Sequence, residues 1–119
     1  MKVFAVDGTL NINTMTQDMI AVDIRTRAGD GDIAFLFDTH TYGEFPALQA
    51  EQIFVGSGGG VWVEAAIVRA SELGAQDVFL YGDGFWLGKD ADVRGMNVQH
   101  VVVGAGPHVL DFPVAGYIP

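Results

Sequence analysis

The chain contains no cysteine. Disulfides, thiolate metal centres and a cysteine nucleophile are therefore excluded. Basic residues are scarce: 6 Lys and Arg stand against 15 Asp and Glu, for a formal charge of −9 and a pI near 4.3. So acidic a surface repels phosphate backbones and anionic lipid, so neither nucleic acid nor a membrane is expected as a partner. No apolar run approaches the roughly 18 residues of a membrane-spanning helix. Residues 1–10 also lack the basic, apolar, small-residue order of a secretory leader. The expected location is the cytoplasm.

What is present describes one folded unit. The chain has 119 residues, half of them apolar, which is enough for one core and argues against global disorder. The acid is spread evenly, with 8 acids and 3 bases in residues 1–60 and 7 and 3 in residues 61–119. No acidic tail stands out, and the charge reads more simply as solubility than as a device. Glycine is in excess, 16 residues or about 13% against a usual ~7%. Its dispersal implies many turns.

The pattern predicts an α+β fold with antiparallel sheets and one main helix, in a single domain over residues 1–119. Residues 3–6 read as a strand, and Asp7-Gly8 as the hairpin turn leading to a returning strand through Leu10 and Ile12. Residues 19–24 read as a further strand, with a helix as the alternative. Residues 33–37 form a continuous apolar run typical of a strand covered on both faces. A short strand over 52–55 ends at Gly56-Ser57-Gly58-Gly59-Gly60. The helix over 61–73 is the clearest element: Trp62, Ala66, Ala70 and Leu73 share a face, and Gly74 stops it. Residues 77–86 are ambiguous, and 96–103 read as a strand. Residues 104–119, with Pro107, Pro113 and Pro119, read as an extended tail carrying at most a short strand near 109–112.

The sharpest local signal is the glycine turn before the helix. Its backbone N–H groups at a helix N-terminus suit an anion or oxyanion, which singles out Gly56, Ser57, Gly58 and Gly59. A tight strand-to-helix corner capped by Ser57 is the structural alternative. The turn is neither a P-loop nor a dinucleotide fingerprint, because no Lys-Ser/Thr follows and Val61 stands where the third glycine belongs. Phe79, Tyr81, Phe85 and Trp86 form an aromatic cluster expected in a core or an interface. His40, His100 and His108 have no metal-ligand spacing. Asp83, Asp90 and Asp92 lack the twelve-residue calcium loop, and turn chemistry accounts for them. Neither metal nor cofactor is expected.

Residues 53–59 (Ile-Phe-Val-Gly-Ser-Gly-Gly), the alanine-rich stretch 64–70 and Gly74-Ala75 together resemble the proteasome β-type and HslV-type subunits. The opening, from Phe4 to Thr14, is similar to that family's first hairpin, and residues 33–38 to a later strand. The resemblance implies an N-terminal-nucleophile hydrolase fold, an αββα sandwich that assembles into rings and uses residue one as nucleophile and base. Here the nucleophile position falls on Lys2 or Val3, neither of which can serve, and Asn13 replaces the acid after the hairpin. The resemblance therefore implies a shortened, non-catalytic relative: a self-assembling structural or interaction protein, for example a phage virion or assembly component. One alternative is a small hydrolase of this type using Thr9, Thr14 or Ser57. A second is an acidic inhibitor that mimics nucleic acid.

Overall fold

A computed structural model describes residues 1–10, 12–52 and 60–119. They form a mixed α/β architecture around one six-stranded sheet of order β3-β2-β1-β4-β5-β6. The strands are β1 (Lys2–Asp7), β2 (Ile33–Phe37), β3 (Thr41–Pro46), β4 (Asp77–Gly82), β5 (Asn97–Val103) and β6 (Val114–Ile118). The mixed class agrees with the sequence; the strand pairing does not. Four of the five pairings are parallel, and only β2–β3 is antiparallel. The described residues thus build one sheet between two covering layers, where the sandwich implied by the resemblance stacks two sheets.

The expected first hairpin is replaced by a crossover. After β1 the chain enters α1 (Thr14–Arg27), and β2 then returns parallel to β1, with Val3 opposite Ile33 and Asp7 opposite Phe37. Parallel neighbours require such a connection. Asn13 starts the helix by accepting a hydrogen bond from the Thr16 N–H, and Arg25 and Arg27 oppose the dipole at its end. Ile20, Ala21 and Ile24 are buried on one face, while Met15 and Val22 are exposed on another. Apolar residues on both faces blur the helical period, so residues 19–24 look strand-like in the sequence.

β1 lies in the middle of the sheet and is covered on both sides. Val3 and Ala5 pack with α2 (Val63–Glu72), whose Val63, Ala66, Ile67 and Ala70 are buried. Phe4 and Val6 pack with Ile20, Ala21 and Ile24 of α1. The Phe4 ring stacks on Phe79, centroids 5.2 Å apart. The α2 layer is completed by Trp86, Val93, Met96 and Phe112. Gly74, at φ +82°, ends α2 as expected.

Two further elements differ from expectation. Residues 41–46, read as a broken polar loop, are the edge strand β3, and Ala47–Gln52 form a 3-10 helix. The C-terminal stretch is not a loose tail, because β6 pairs with β5, with Val101 opposite Gly116 and Val103 opposite Ile118. Its strand lies over 114–118, just past Pro113, because proline cannot donate to the ladder.

Candidate functional site

The strand order changes direction between β1 and β4. From β1 the sheet grows outward through β2 on one side and through β4 on the other. In an open parallel sheet, ligands bind beyond the carboxyl ends of the strands at that switch point. Three adjacent strands reach this edge, and an aspartate stands at the end of each: Asp7 closes β1, Asp38 follows β2 and Asp83 follows β4.

Asp7 is the centre of the arrangement. It is 2% exposed. One carboxylate oxygen accepts hydrogen bonds from the Thr9 N–H (2.8 Å) and the Thr9 hydroxyl (2.7 Å). The other accepts from the Trp86 indole N–H at 3.2 Å. Burial raises the Asp7 pKa above the usual carboxylate value. The bonds from Thr9 and Trp86 oppose that rise, and the negative charge of Asp83 adds to it. No Lys or Arg is among the groups that act on Asp7. Five of the six Lys and Arg are engaged elsewhere: Lys2 with the Arg27 carbonyl, Arg25 with Glu51, Arg27 with Asp23, Arg69 with Glu44 and Lys89 with Asp111.

The neighbours of Asp7 are fixed by close packing. Gly82 lies opposite it across the β1–β4 pair, and a Cβ there would sit 2.8 Å from the Trp86 ring and 3.1 Å from the Asp7 Cβ. Gly8 is covered by the Tyr42 hydroxyl, which a Cβ would meet at 2.0 Å. The Tyr42 pKa is raised by burial and by the charges of Asp38 and Asp7. Asp83 accepts from the Phe85 N–H (3.1 Å), and its carbonyl accepts from the Val109 N–H (3.1 Å). Asp38 turns toward His40, accepting from its N–H at 3.1 Å and lying 3.2 Å from its Nδ1. Beneath the site, His100 is fully buried against Trp86, ring centroids 4.7 Å apart. Its Nε2 lies 2.7 Å from the Gly82 carbonyl, which requires the proton on that nitrogen. Burial lowers the His100 pKa, keeping the ring neutral at pH 7.

Asp7 gives the protein a pH signature. Its folded pKa lies above that of the unfolded chain, so the native state holds this proton more tightly. Its contribution to stability therefore falls as pH rises through that interval, and the buried charge is a full penalty above it. Urea unfolding of wild type and Asp7→Asn, both in chelator, checks this. The stability difference is expected to move in favour of the variant between pH 4 and pH 7. A difference independent of pH contradicts the assignment.

The residues singled out by sequence divide sharply. Gly56, Ser57, Gly58 and Gly59, with the strand expected at 53–55, lie outside the described residues. Thr9 belongs to the Asp7 cluster, whereas Thr14 is exposed as the first residue of α1. Of the aromatic cluster, Tyr81, Phe79 and Trp86 are buried in the core, and Phe85, 54% exposed, reaches the surface. Phe79 and Tyr81 alternate onto the α1 side of β4, whereas Trp86, in the loop after β4, packs into the α2 layer. Tyr81 donates its hydroxyl proton to Asp23 at 2.6 Å. Among the described residues no three Asp, Glu or His side chains form a metal-binding group. In the sequence Asp7 and Asp83 are turn residues, and the structure brings them to one edge of the sheet. The signal is an apolar run that ends on aspartate, as in Phe4-Ala5-Val6-Asp7, Phe35-Leu36-Phe37-Asp38 and Phe79-Leu80-Tyr81-Gly82-Asp83. No protein-family model matches the chain, and no curated protein sequence matches it.

Proposed function

We propose that the protein is a non-catalytic binding module whose ligand seat is the carboxyl edge of the sheet between β1 and β4. The seat takes positive charge. The observation that carries this reading is Asp7: a buried carboxylate at the switch point, under the field of a second carboxylate and with no basic side chain acting on it. A buried charge without a partner is costly, and proteins keep one where a ligand completes it.

The ligand that fits best is a hard divalent cation such as Mg²⁺ or Mn²⁺. The available donors are all oxygens: the carboxylates of Asp7 and Asp83 and the Thr9 hydroxyl. The Asp7 Oδ2, which accepts only the Trp86 bond, has a lone pair left, whereas Oδ1 already accepts two bonds from Thr9. Magnesium is commonly held by one or two carboxylates and keeps other positions for water or for its ligand. Two carboxylates therefore suffice without a third. This departs from the sequence expectation of no metal.

The non-catalytic part of the reading agrees with the missing nucleophile at Lys2 and Val3. Thr9 gives its proton to Asp7, a fixed structural bond, and Thr14 stands in an exposed helical turn. The N-terminal-nucleophile resemblance contributes the idea of a silent scaffold; a sandwich of that family is a separate proposal that rests on the residue pattern alone. A nucleic-acid mimic is less well supported, because Asp23, Glu44, Glu51, Glu72 and Asp111 are paired with Arg or Lys and do not form a free acidic array.

Thermal unfolding tests the seat. A ligand at one hundred times its Kd stabilises the native state by about 2.7 kcal/mol. In a domain of this length that is a rise of roughly 8–16 °C. Millimolar Mg²⁺ or Mn²⁺ is expected to raise the wild-type Tm well beyond the effect of KCl at matched ionic strength. Asp83→Asn is expected to lose most of that rise. Equal shifts in both proteins, or none in wild type, refute the reading.

A further inference from the structure

A cavity of about 340 Å³ opens at the same carboxyl edge, with Asp7 outside its lining. The segments that follow three strands build it: Leu10 and Ile12 after β1, Asp83 and Phe85 after β4, and residues 104–108 after β5, together with Val103 at the end of β5. The segment after β5 is tied down at both ends. The Gly104 N–H donates to the Ile118 carbonyl (2.8 Å), and the Val109 N–H donates to the Asp83 carbonyl (3.1 Å). A pocket with tethered walls is largely formed before a ligand arrives, which lowers the cost of binding.

Leu10, Ile12, Phe85 and Val103 give the cavity hydrocarbon walls, and Phe85 is exposed. Among the described residues of the lining Asp83 is the one acid, and no Lys or Arg stands there. One Asp83 oxygen accepts from the Phe85 N–H. The other accepts no bond among the described residues. Asp83 also forms no ion pair among them, whereas Asp23, Glu44, Glu51, Glu72 and Asp111 each meet an Arg or Lys. A carboxylate without a cation, set beside apolar walls, asks for positive charge at one end of a ligand and hydrocarbon at the other. An anion would meet Asp83 and a net charge of −9 with no base in the lining to offset them. A neutral apolar molecule would cover the carboxylate without compensating it.

We propose that this cavity binds a small primary amine with an apolar body. Its ammonium sits on the Asp83 carboxylate, and its hydrocarbon packs against Leu10, Ile12 and Val103. An ammonium carries three donors and no acceptor, which suits the free Asp83 oxygen. The Phe85 ring, two residues from Asp83 in the chain, is available to the same cation through its π face. Size agrees. A benzene ring fits a cavity of roughly 150 Å³, so about 340 Å³ takes one ring and a short ammonium arm. The proposal is separate from the divalent seat: it rests on the cavity and on Asp83, and a failed Mg²⁺ response leaves it standing.

Titration of the full chain with 2-phenylethylamine, followed by amide-resolved NMR, tests it. Chelator keeps divalent ions off Asp83, and at about pH 7.5 the amine, like that of lysine, holds its proton. Saturable shifts are expected at Ile12, Phe85, Ala105 and Gly106, with a Kd of about 1 mM or below. 2-Phenylethanol has the same ring without the charge, and phenylacetate has the opposite charge. Both are expected to bind the wild type roughly tenfold more weakly or worse, the loss of a hydrogen bond between charged groups. Asp83→Asn should weaken the amine by a similar factor and leave the alcohol unchanged. The two control ligands read the charge requirement in wild type, so the test does not depend on how the variant folds. Equal affinity for amine and alcohol overturns the proposal, as does an Asp83→Asn protein that binds the amine as tightly as wild type. First shifts at the groove lined by Met15, Asp18 and Met19, or no saturable shift up to ~10 mM, overturn it too.

Discussion

Trp86→Ala is expected to destabilise the protein by about 3–5 kcal/mol, as for other buried aromatic truncations, with a fall in Tm of at least 10 °C. Trp86 is 3% exposed and packs against Phe37, His100 and Phe112. Its indole N–H also donates to Asp7. The loss therefore has two parts, a cavity between the sheet and the 104–113 segment and a buried carboxylate left with fewer donors. Trp86→Phe separates them. The ring remains and the donor is lost, which is expected to cost on the order of 1.5–3 kcal/mol, the range for a hydrogen bond to a charged group. Trp86→Phe should still respond to Mg²⁺, because Thr9 and Asp83 are untouched. Urea unfolding of both variants checks the partition. Equal losses would mean that the indole N–H, and not the ring, dominates.

Gly84→Ala is expected to be about as damaging through the backbone. Gly84 has φ +89°, and a Cβ there would lie 1.8 Å from the Val109 carbonyl oxygen and 2.9 Å from its carbon. The left-handed conformation costs a non-glycine residue roughly 1–2 kcal/mol, and overpacking against fixed atoms adds about 1–3 kcal/mol. Relief requires the 104–113 segment to move away from β4, which breaks the Val109 N–H to Asp83 carbonyl bond. Gly84→Ala should therefore lose stability and weaken the cation response together, because Asp83 shifts with its loop. Gly95→Ala is the comparison. Gly95 also has positive φ, at +76°, but nothing lies within 4 Å of a Cβ there. It should show only the conformational cost and keep the cation response. A Gly84→Ala protein as stable as Gly95→Ala contradicts the close approach.

How far the fold could be read from the sequence depended on whether the signal was local. The helix at 61–73 carries a clear stripe and a glycine stop, and α2 lies there. Residues 33–37 and 96–103 carry continuous or alternating apolar runs, and β2 and β5 lie there. Strand direction is not local. Asp7-Gly8 is a good hairpin dipeptide, yet it ends a parallel strand, because Asn13 caps a helix six residues later and the Ile20, Ala21 and Ile24 face covers the sheet. Parallel order needs that helix to be recognised, and Met15, Met19 and Val22 on its outer face hide its period. The candidate site followed the same rule. Asp7 and Asp83 are 76 residues apart in the chain, and only the β1–β4 register, with Val6 opposite Tyr81, brings them to one edge. Each alone is a turn residue. The burial of Phe79 and Tyr81 is likewise a property of a sheet covered on both faces, and that of Trp86 comes from a loop folded against Phe37, His100 and Phe112.

The central claim is that Asp7 and Asp83 form one seat for positive charge. Paramagnetic broadening by Mn²⁺ in an amide-resolved NMR spectrum tests it most directly, because the effect marks the residues nearest the bound ion. At substoichiometric Mn²⁺ the amides of Gly8, Thr9, Asp83 and Gly84 are expected to vanish first, excess Mg²⁺ should restore them, and Asp83→Asn should abolish the pattern. First losses at Asp90 and Asp92, at Asp18, or evenly over the acidic surface would contradict it.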